Sequence, residues 1–223
     1  MNYRRIVPNS ISSISLILGI LSIFLAFEKN YDQASIFIVL AMIADSLDGR
    51  AARLLGVSGK FGEELDSLCD LCSFGVAPAI LIYMYGLADL GLIGKIIAAL
   101  YTVGGAMRLA RFNVDSSVVK GYFMGMPIPA GACVISAYVF SGLTLSPKIV
   151  AGGVLVLAYI LYSNIKFPDF KGKGSPLAMP PVVLAIFIGI LLIYLEPSAW
   201  AFILMITYSL VGIINHIYML YFK

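Results

Sequence analysis

Apolar runs about as long as a bilayer is thick follow one another along almost the whole chain, broken by short polar punctuation. They can be drawn at 10–27, 33–55, 62–86, 90–112, 126–145, 147–165, 177–195 and 198–222. A helix needs about 20 residues to cross the hydrocarbon core, so the pattern predicts an all-α, polytopic membrane bundle of eight spans. Breakers separate the runs: Asn30 and Asp32, Gly56 to Gly59, Gly86 to Gly91, Asp115 to Gly125, Ser146-Pro147, Pro168 to Pro181, and Glu196-Pro197. Tyr3, Arg4 and Arg5 suit a headgroup layer, and residues 1–9 read as an interfacial lead-in. The spans use up the length, so residues 1–223 are expected to form a single integral membrane domain.

Composition agrees. The chain is 61% hydrophobic and 12% charged, where a soluble domain carries roughly twice that charge. Its mean hydropathy is +0.97. A net charge of +3 speaks to orientation and anionic headgroups, and no nucleic-acid partner is expected. With the N-terminus on the cytoplasmic side, only Lys29, Lys95 and Lys148 of the 15 Lys and Arg residues fall outside. The positive-inside rule then places both termini in the cytoplasm, and the plasma membrane is the expected location. Cys69, Cys72 and Cys133 make no disulfide framework, and the C-x-x-C at 69–72 reads as packing within an apolar helix.

Four carboxylates break the apolar pattern in the second and third segments. Asp45 and Asp48 are i, i+3, and Asp66 and Asp70 are i, i+4, so each pair shares a helix face. A short turn joins the two segments, which makes them antiparallel neighbours whose acidic faces can meet. At about 1.5 Å per residue, Asp66 and Asp70 lie roughly 6 and 12 Å along the helix from Gly62. The cluster belongs in the inner third of the bilayer, with the pair at 33–86 as the catalytic core. Intramembrane acids are functional by default, and four converging carboxylates ask for a counter-charge. Hard oxygen ligands suit Mg²⁺, Mn²⁺ or Ca²⁺, and carboxylate-bridged pairs of such ions serve phosphoryl chemistry. Gly49 and Gly62 allow a ligand to approach the backbone closely. Arg53, one turn from Gly49, supplies a donor for a diphosphate. Arg50 and Lys60 read as surface and loop charges, and Glu63 and Glu64 as favourable charges at a helix N-terminus.

Asp45-x2-Asp48-Gly49-x2-Ala52-Arg53-x8-Gly62-x3-Asp66-x3-Asp70 resembles the signature of the CDP-alcohol phosphotransferase family of integral membrane enzymes. Eight fixed positions in 26 residues carry the match. The resemblance implies that Asp45, Asp48, Asp66 and Asp70 hold two divalent metal ions, Mg or Mn with Ca as an alternative occupant. It also implies that Asp70 is the general base, and that Gly49, Arg53 and Gly62 contact the CDP moiety. Pro8-Asn9-Ser10-Ile11-Ser12 is similar to a segment that precedes the first span in relatives, with Ser for Thr. This adds Pro8, Asn9 and Ser12 to the nucleotide set, and Ser58 in the turn joins it as a further candidate. Family members are commonly dimers, so a homodimer is expected.

The acceptor alcohol is addressed by the second half. RLARFN (108–113), GMPIPAGA (125–132) and SNIKFPDFKGK (163–173) resemble segments of the phosphatidylserine synthases of that family, and eight spans suit that group. The resemblance implies a CDP-linked diacylglycerol and L-serine as substrates, with phosphatidylserine and CMP as products. Serine is a zwitterion, so its site needs a cation for the carboxylate. Arg108, Arg111 and Asn113 lie at the depth of the aspartates and are the acceptor candidates. Each arginine reads equally well as an anchor of its helix end. Another acceptor, glycerol phosphate or inositol phosphate, is the alternative within the family. A cation transporter built on the acidic cluster is the alternative outside it. Transporters often show inverted repeats or broken midplane helices, and neither is evident here.

Overall fold

The computed structural model describes residues 6–57, 59–115, 122–168 and 178–222. Among the described residues eight helical rods follow one another: α1 (Ile6–Phe27), α2 (Tyr31–Leu55), α3 (Lys60–Leu90), α4 (Leu92–Asp115), α5 (Ile128–Phe140), α6 (Pro147–Tyr162), α7 (Met179–Leu195) and α8 (Trp200–Phe222). Four of them, at Ile6–Phe27, Lys60–Leu90, Leu92–Val114 and Pro197–Tyr221, are long and apolar enough to cross a membrane. The bundle presents many large apolar side chains at its surface, among them Phe24, Leu100, Phe187 and Trp200, as a protein solvated by lipid does. This is an all-α membrane protein.

Small residues set the closest contacts. The buried stripe of α1 is Pro8, Ser12, Ser15, Gly19, Ser22 and Ala26, and that of α2 includes Ala34, Ser35, Ala41 and Ala44. Stripes of this kind let backbones approach in lipid, where no hydrophobic effect pushes helices together. Serine hydroxyls then bridge the helices. Ser15 donates to the Ala41 carbonyl at 3.0 Å, Ser22 to that of Ala34 at 2.8 Å, and Ser73 of α3 to that of Ser15 at 3.0 Å. At Gly19 a Cβ would stand 2.7 Å from the Ser73 backbone, so only glycine admits α3 there.

The rod α3 is not uniform. It is α-helical to Asp70, widens to a π-turn over Leu71–Val76, and does so again over Tyr83–Leu87. A π-turn releases backbone carbonyls from their usual donors. Two side chains of α4 meet that need: Tyr101 donates to the Phe74 carbonyl at 3.1 Å and Thr102 to that of Gly75 at 3.2 Å. The fully buried Tyr101, Phe74, Ile38, Leu81, Ile128 and Leu161 form the centre of the core.

Several sequence expectations need correction. The fifth helix, expected over 126–145, spans only Ile128–Phe140. It ends at Ser141, whose hydroxyl back-bonds to the Tyr138 carbonyl at 2.7 Å. The sixth, expected over 147–165, stops at Tyr162. Residues 6–9, expected in the interfacial lead-in, are the first turn of α1. A small antiparallel ribbon was not foreseen: β1 (Tyr122–Met124) pairs with β2 (Lys166–Pro168), Phe123 opposite Phe167. Both strands are too short to show alternation in the sequence.

Candidate active site

The α2–α3 hairpin builds the site. Helix α2 ends where Gly56 takes a left-handed conformation at φ +62° and donates to the last carbonyls of the helix. The chain re-enters as α3 at Lys60. This tight reversal turns the Asp45–Asp48 face toward the Asp66–Asp70 face. One carboxylate oxygen from each of Asp45, Asp48 and Asp66 falls within 4.8 Å of the others. Asp70 lies beside Asp45 and Asp66 and is buried. The Oδ1 atoms of Asp66 and Asp70 are buried with no hydrogen-bond partner among the described residues.

That donor set has a clear chemical meaning. Three carboxylates with oxygens within 4.8 Å of one another, beside buried oxygens lacking a donor among the described residues, make an oxygen-rich hollow of concentrated negative charge. A hard cation is the complement of such a hollow. The residues present therefore fit a metal.

Helix α1 closes one side. Ser12 donates to Asp48 Oδ2 at 2.5 Å, and the Asn9 side-chain oxygen stands 3.5 Å from where a Cβ on Gly62 would be. A cleft of about 170 Å³ opens beside the acids, lined by Pro8, Asn9, Ser12, Asp48, Gly49, Arg53, Gly62 and Asp66 among others. The Arg53 head folds back over Gly49, its Nη1 3.5 Å from the position of a Cβ there. Three separate stretches named from the sequence thus meet on one cleft. Ser58 lies outside the described residues. Glu63 also lines the cleft; the sequence offered only its place in the first turn of a helix.

The acceptor candidates part company. Arg108 is buried, 7% exposed, with its guanidinium 5.4 Å from the Phe112 ring and its Nε unpartnered among the described residues. It lies within electrostatic reach of Asp70 and Asp45. Arg111 is committed elsewhere. It donates to the carbonyls of Tyr162 (2.9 Å), Met124 (2.9 Å) and Ser163 (3.0 Å) and to Asn164 Oδ1 (3.2 Å), and covers the Tyr162 ring at 4.9 Å. Those bonds tie the end of α6 and the ribbon to α4. Asn113 exchanges hydrogen bonds with Ser67, at 2.9 and 3.2 Å, and so clips α4 to α3 next to Asp66.

A second, larger cavity of about 340 Å³ lies between α3, α5, α6 and α8, lined by Ile82, Val134, Tyr138, Val154 and Phe202 among others. It is almost wholly apolar and contains none of the acids, so the chemistry belongs to the smaller cleft.

Comparison with known proteins agrees with this geometry. The family model for CDP-alcohol phosphatidyltransferases matches residues 5–214. A CDP-diacylglycerol–serine O-phosphatidyltransferase of Helicobacter pylori is 37% identical, the alignment covering 99% of this chain and 94% of the relative. The Bacillus subtilis protein of the same name is 41% identical over 78% of this chain and 95% of its own. An archaetidylserine synthase of Methanothermobacter thermautotrophicus is 37% identical over 80% of this chain and 78% of its own.

Proposed function

The chain belongs to the CDP-alcohol phosphatidyltransferase family, and from that premise we propose that it transfers the phosphatidyl group of a CDP-diacylglycerol-type lipid to the hydroxyl of L-serine, giving phosphatidylserine and CMP. The observation that carries this reading is the convergence of Asp45, Asp48 and Asp66 beside a cleft lined by Asn9, Gly49, Arg53 and Gly62. The similarity to relatives named CDP-diacylglycerol–serine O-phosphatidyltransferase, over 99% and 78% of this chain, supports serine as the acceptor.

In this reading Asp45, Asp48, Asp66 and Asp70 would hold two divalent ions, Mg²⁺ or Mn²⁺, which would supply positive charge to offset a diphosphate and Lewis acidity toward phosphorus. The chain's own residues do the rest. Asn9, Ser12, Gly49 and Gly62 seat the nucleotide close to the backbone, and Arg53 covers its phosphates from the cleft mouth. Ser12 does a second job by fixing the rotamer of Asp48. Arg108 takes the serine carboxylate, which brings the serine hydroxyl beside Asp70. Asp70 accepts the hydroxyl proton as the oxygen attacks the lipid-linked phosphorus. A carboxylate is a weak base for an alcohol, so proton removal accompanies attack. The new P–O bond joins serine to the lipid phosphate, the bond to the CMP oxygen breaks, and CMP leaves with the electron pair.

In this reading the chain crosses the plasma membrane eight times with both termini inside, and the chemistry then takes place at the cytoplasmic face. The lipid tails then stay in the inner leaflet while the headgroup reaches the cleft. A homodimer is proposed on the family habit.

The test is CMP release from CDP-diacylglycerol by the purified protein in detergent. Serine, glycerol phosphate and inositol phosphate are compared, each with and without EDTA. Serine-dependent release that EDTA stops is expected. Release with a phosphorylated alcohol and not with serine reassigns the acceptor. Cation flux in vesicles without CMP release removes the enzymatic reading.

A further inference from the structure

Glu63 is a carboxylate on the wall of a cleft suited to an anion, and the aspartate signature gives it no work. Three acids line that cleft of about 170 Å³: Asp48, Asp66 and Glu63. Asp48 and Asp66 belong to the group whose oxygens converge within 4.8 Å of one another, and Glu63 does not. No hydrogen bond or ion pair occupies the Glu63 side chain among the described residues.

The helix sets where Glu63 stands. Glu63 and Asp66 are i, i+3 on α3, so they share a face, with Cβ atoms about 5–6 Å apart. The step from Asp66 to Glu63 runs toward the start of α3, away from Asp70 and the π-turn. Between them in the cleft wall comes the bare backbone of Gly62, where a Cβ would stand 3.5 Å from Asn9 Oδ1. The wall of α3 therefore passes from the converging acids, at Asp66, to an open backbone and then to an exposed carboxylate with no partner of its own.

A CDP headgroup laid along this wall meets it in a fixed order. Its diphosphate belongs at the acid end, where the donor set fits a cation and Arg53 folds over Gly49. The ribose follows directly, and the base lies farther out. A carboxylate beside a diphosphate repels it unless it faces a donor. The first donors past the phosphates are the 2′ and 3′ hydroxyls of the ribose. A carboxylate can accept both at once through its two oxygens, and an acid on a ribose hydroxyl is the device that dinucleotide sites use. We propose that Glu63 reads the ribose: its carboxylate accepts from the 2′ and 3′ hydroxyls of the CDP-lipid and selects a ribonucleotide over its 2′-deoxy counterpart. This rests on the CDP-lipid reading above. Glu64 carries the same charge one residue on, about 100° round the helix, and does not line the cleft.

The experiment titrates full-length wild type, Glu63→Ala, Glu63→Gln and Glu64→Ala in detergent with CDP, dCDP and UDP in the presence of Mg²⁺. Wild type should bind CDP more tightly than dCDP. Glu63→Ala should lose about tenfold in CDP affinity, the worth of a charge-assisted hydrogen bond, and less in dCDP affinity, so the ratio of the two falls toward one. Glu63→Gln keeps one acceptor oxygen and should fall between. Glu64→Ala should keep the wild-type ratio. A ratio of affinities is read on folded protein, so a loss of stability does not imitate the effect. If Glu63→Ala weakens CDP and dCDP equally and erases the preference for CDP over UDP, the carboxylate reads the cytosine amine and the ribose assignment is wrong. If wild type binds CDP and dCDP alike, or Glu63→Ala leaves all three affinities unchanged or raises them together, Glu63 is a surface charge and the proposal alone fails. Wild type that binds none of the three overturns the CDP-lipid reading and the proposal with it.

Discussion

The hydroxyl of Ser12 donates to Asp48 Oδ2 at 2.5 Å across the α1–α2 interface, with both residues buried. A carboxylate in an apolar bundle is costly unless its oxygens are occupied. Ser12 occupies one and leaves the rest of Asp48 turned toward Asp45 and Asp66. Ser12→Ala should cost about 1–3 kcal/mol of stability, the usual penalty for stranding a buried polar partner. It should also weaken CDP binding, because Asp48 is free to rotate. Ser12→Thr keeps the hydroxyl and should retain binding. Thermal unfolding and CDP titration of the two variants check this, and equal behaviour of Ala and Thr would deny Ser12 its role.

Asp70 lies one turn beyond Asp66 along α3, and the π-turn begins directly after it. Asp70→Asn keeps shape and removes basicity. It should lower kcat by about a hundredfold or more, in the range that general bases supply, while CDP affinity falls by much less. Asp48→Asn strikes the cleft itself and should weaken CDP binding and turnover together. Turnover and isothermal titration on both variants separate base from ligand. Comparable loss of CDP affinity in the two would make Asp70 only a further cation ligand.

The aspartate hairpin was legible in the sequence because everything it needs is local. Two i, i+3 or i, i+4 pairs, a glycine-rich turn and two long apolar runs fix an antiparallel pair whose acidic faces meet. The meeting of Asn9 with Gly62 was not local, and only the family resemblance pointed to it. What stayed hidden was set by long-range contact. Arg108 and Arg111 look equivalent along the chain, yet a three-residue step on a helix turns them about 60° apart. One ends in the core and the other against the loop carbonyls. The ribbon and the π-turns depend on which backbone groups tertiary packing leaves unpaired, and no periodicity records that.

Gly19 and Ser73 mark a close contact between α1 and α3. A Cβ at Gly19 would lie 2.6 Å from Ser73 Oγ and 2.7 Å from its Cα. The hydroxyl can rotate away, whereas the backbone cannot. Gly19→Ala should therefore cost about 1–3 kcal/mol, as overpacking does, and Gly19→Leu should cost more. Because Ser73 is three residues from Asp70, prising α3 away should also reduce activity beyond what the loss of stability explains. Ser73→Gly in the Gly19→Ala background removes the hydroxymethyl group but not the backbone clash, so it should restore little. Full rescue by Ser73→Gly would place the constraint in the side chain instead. Unfolding midpoints in detergent decide between the two.

The two arginines of α4 give the sharpest contrast. Arg111 serves three carbonyls and one side-chain amide oxygen: those of Tyr162, Ser163 and Asn164 where α6 ends, and that of Met124 in the ribbon. Lysine cannot reproduce that fork, so Arg111→Lys should lower the unfolding midpoint and raise protease sensitivity near residues 122–126 and 162–168. Its effect on the serine KM should be no larger than the loss of folded protein accounts for. Arg108→Lys keeps the charge but gives up the planar donors that the serine proposal assigns to the acceptor carboxylate. It should raise the serine KM by tenfold or more, from the loss of a charge-assisted bidentate contact, with CDP affinity little changed. Kinetics and limited proteolysis on the same preparations read both effects at once. If Arg111→Lys raises the serine KM in fully folded protein while Arg108→Lys does not, the roles are reversed, and the carboxylate of the acceptor lies on the loop side of α4.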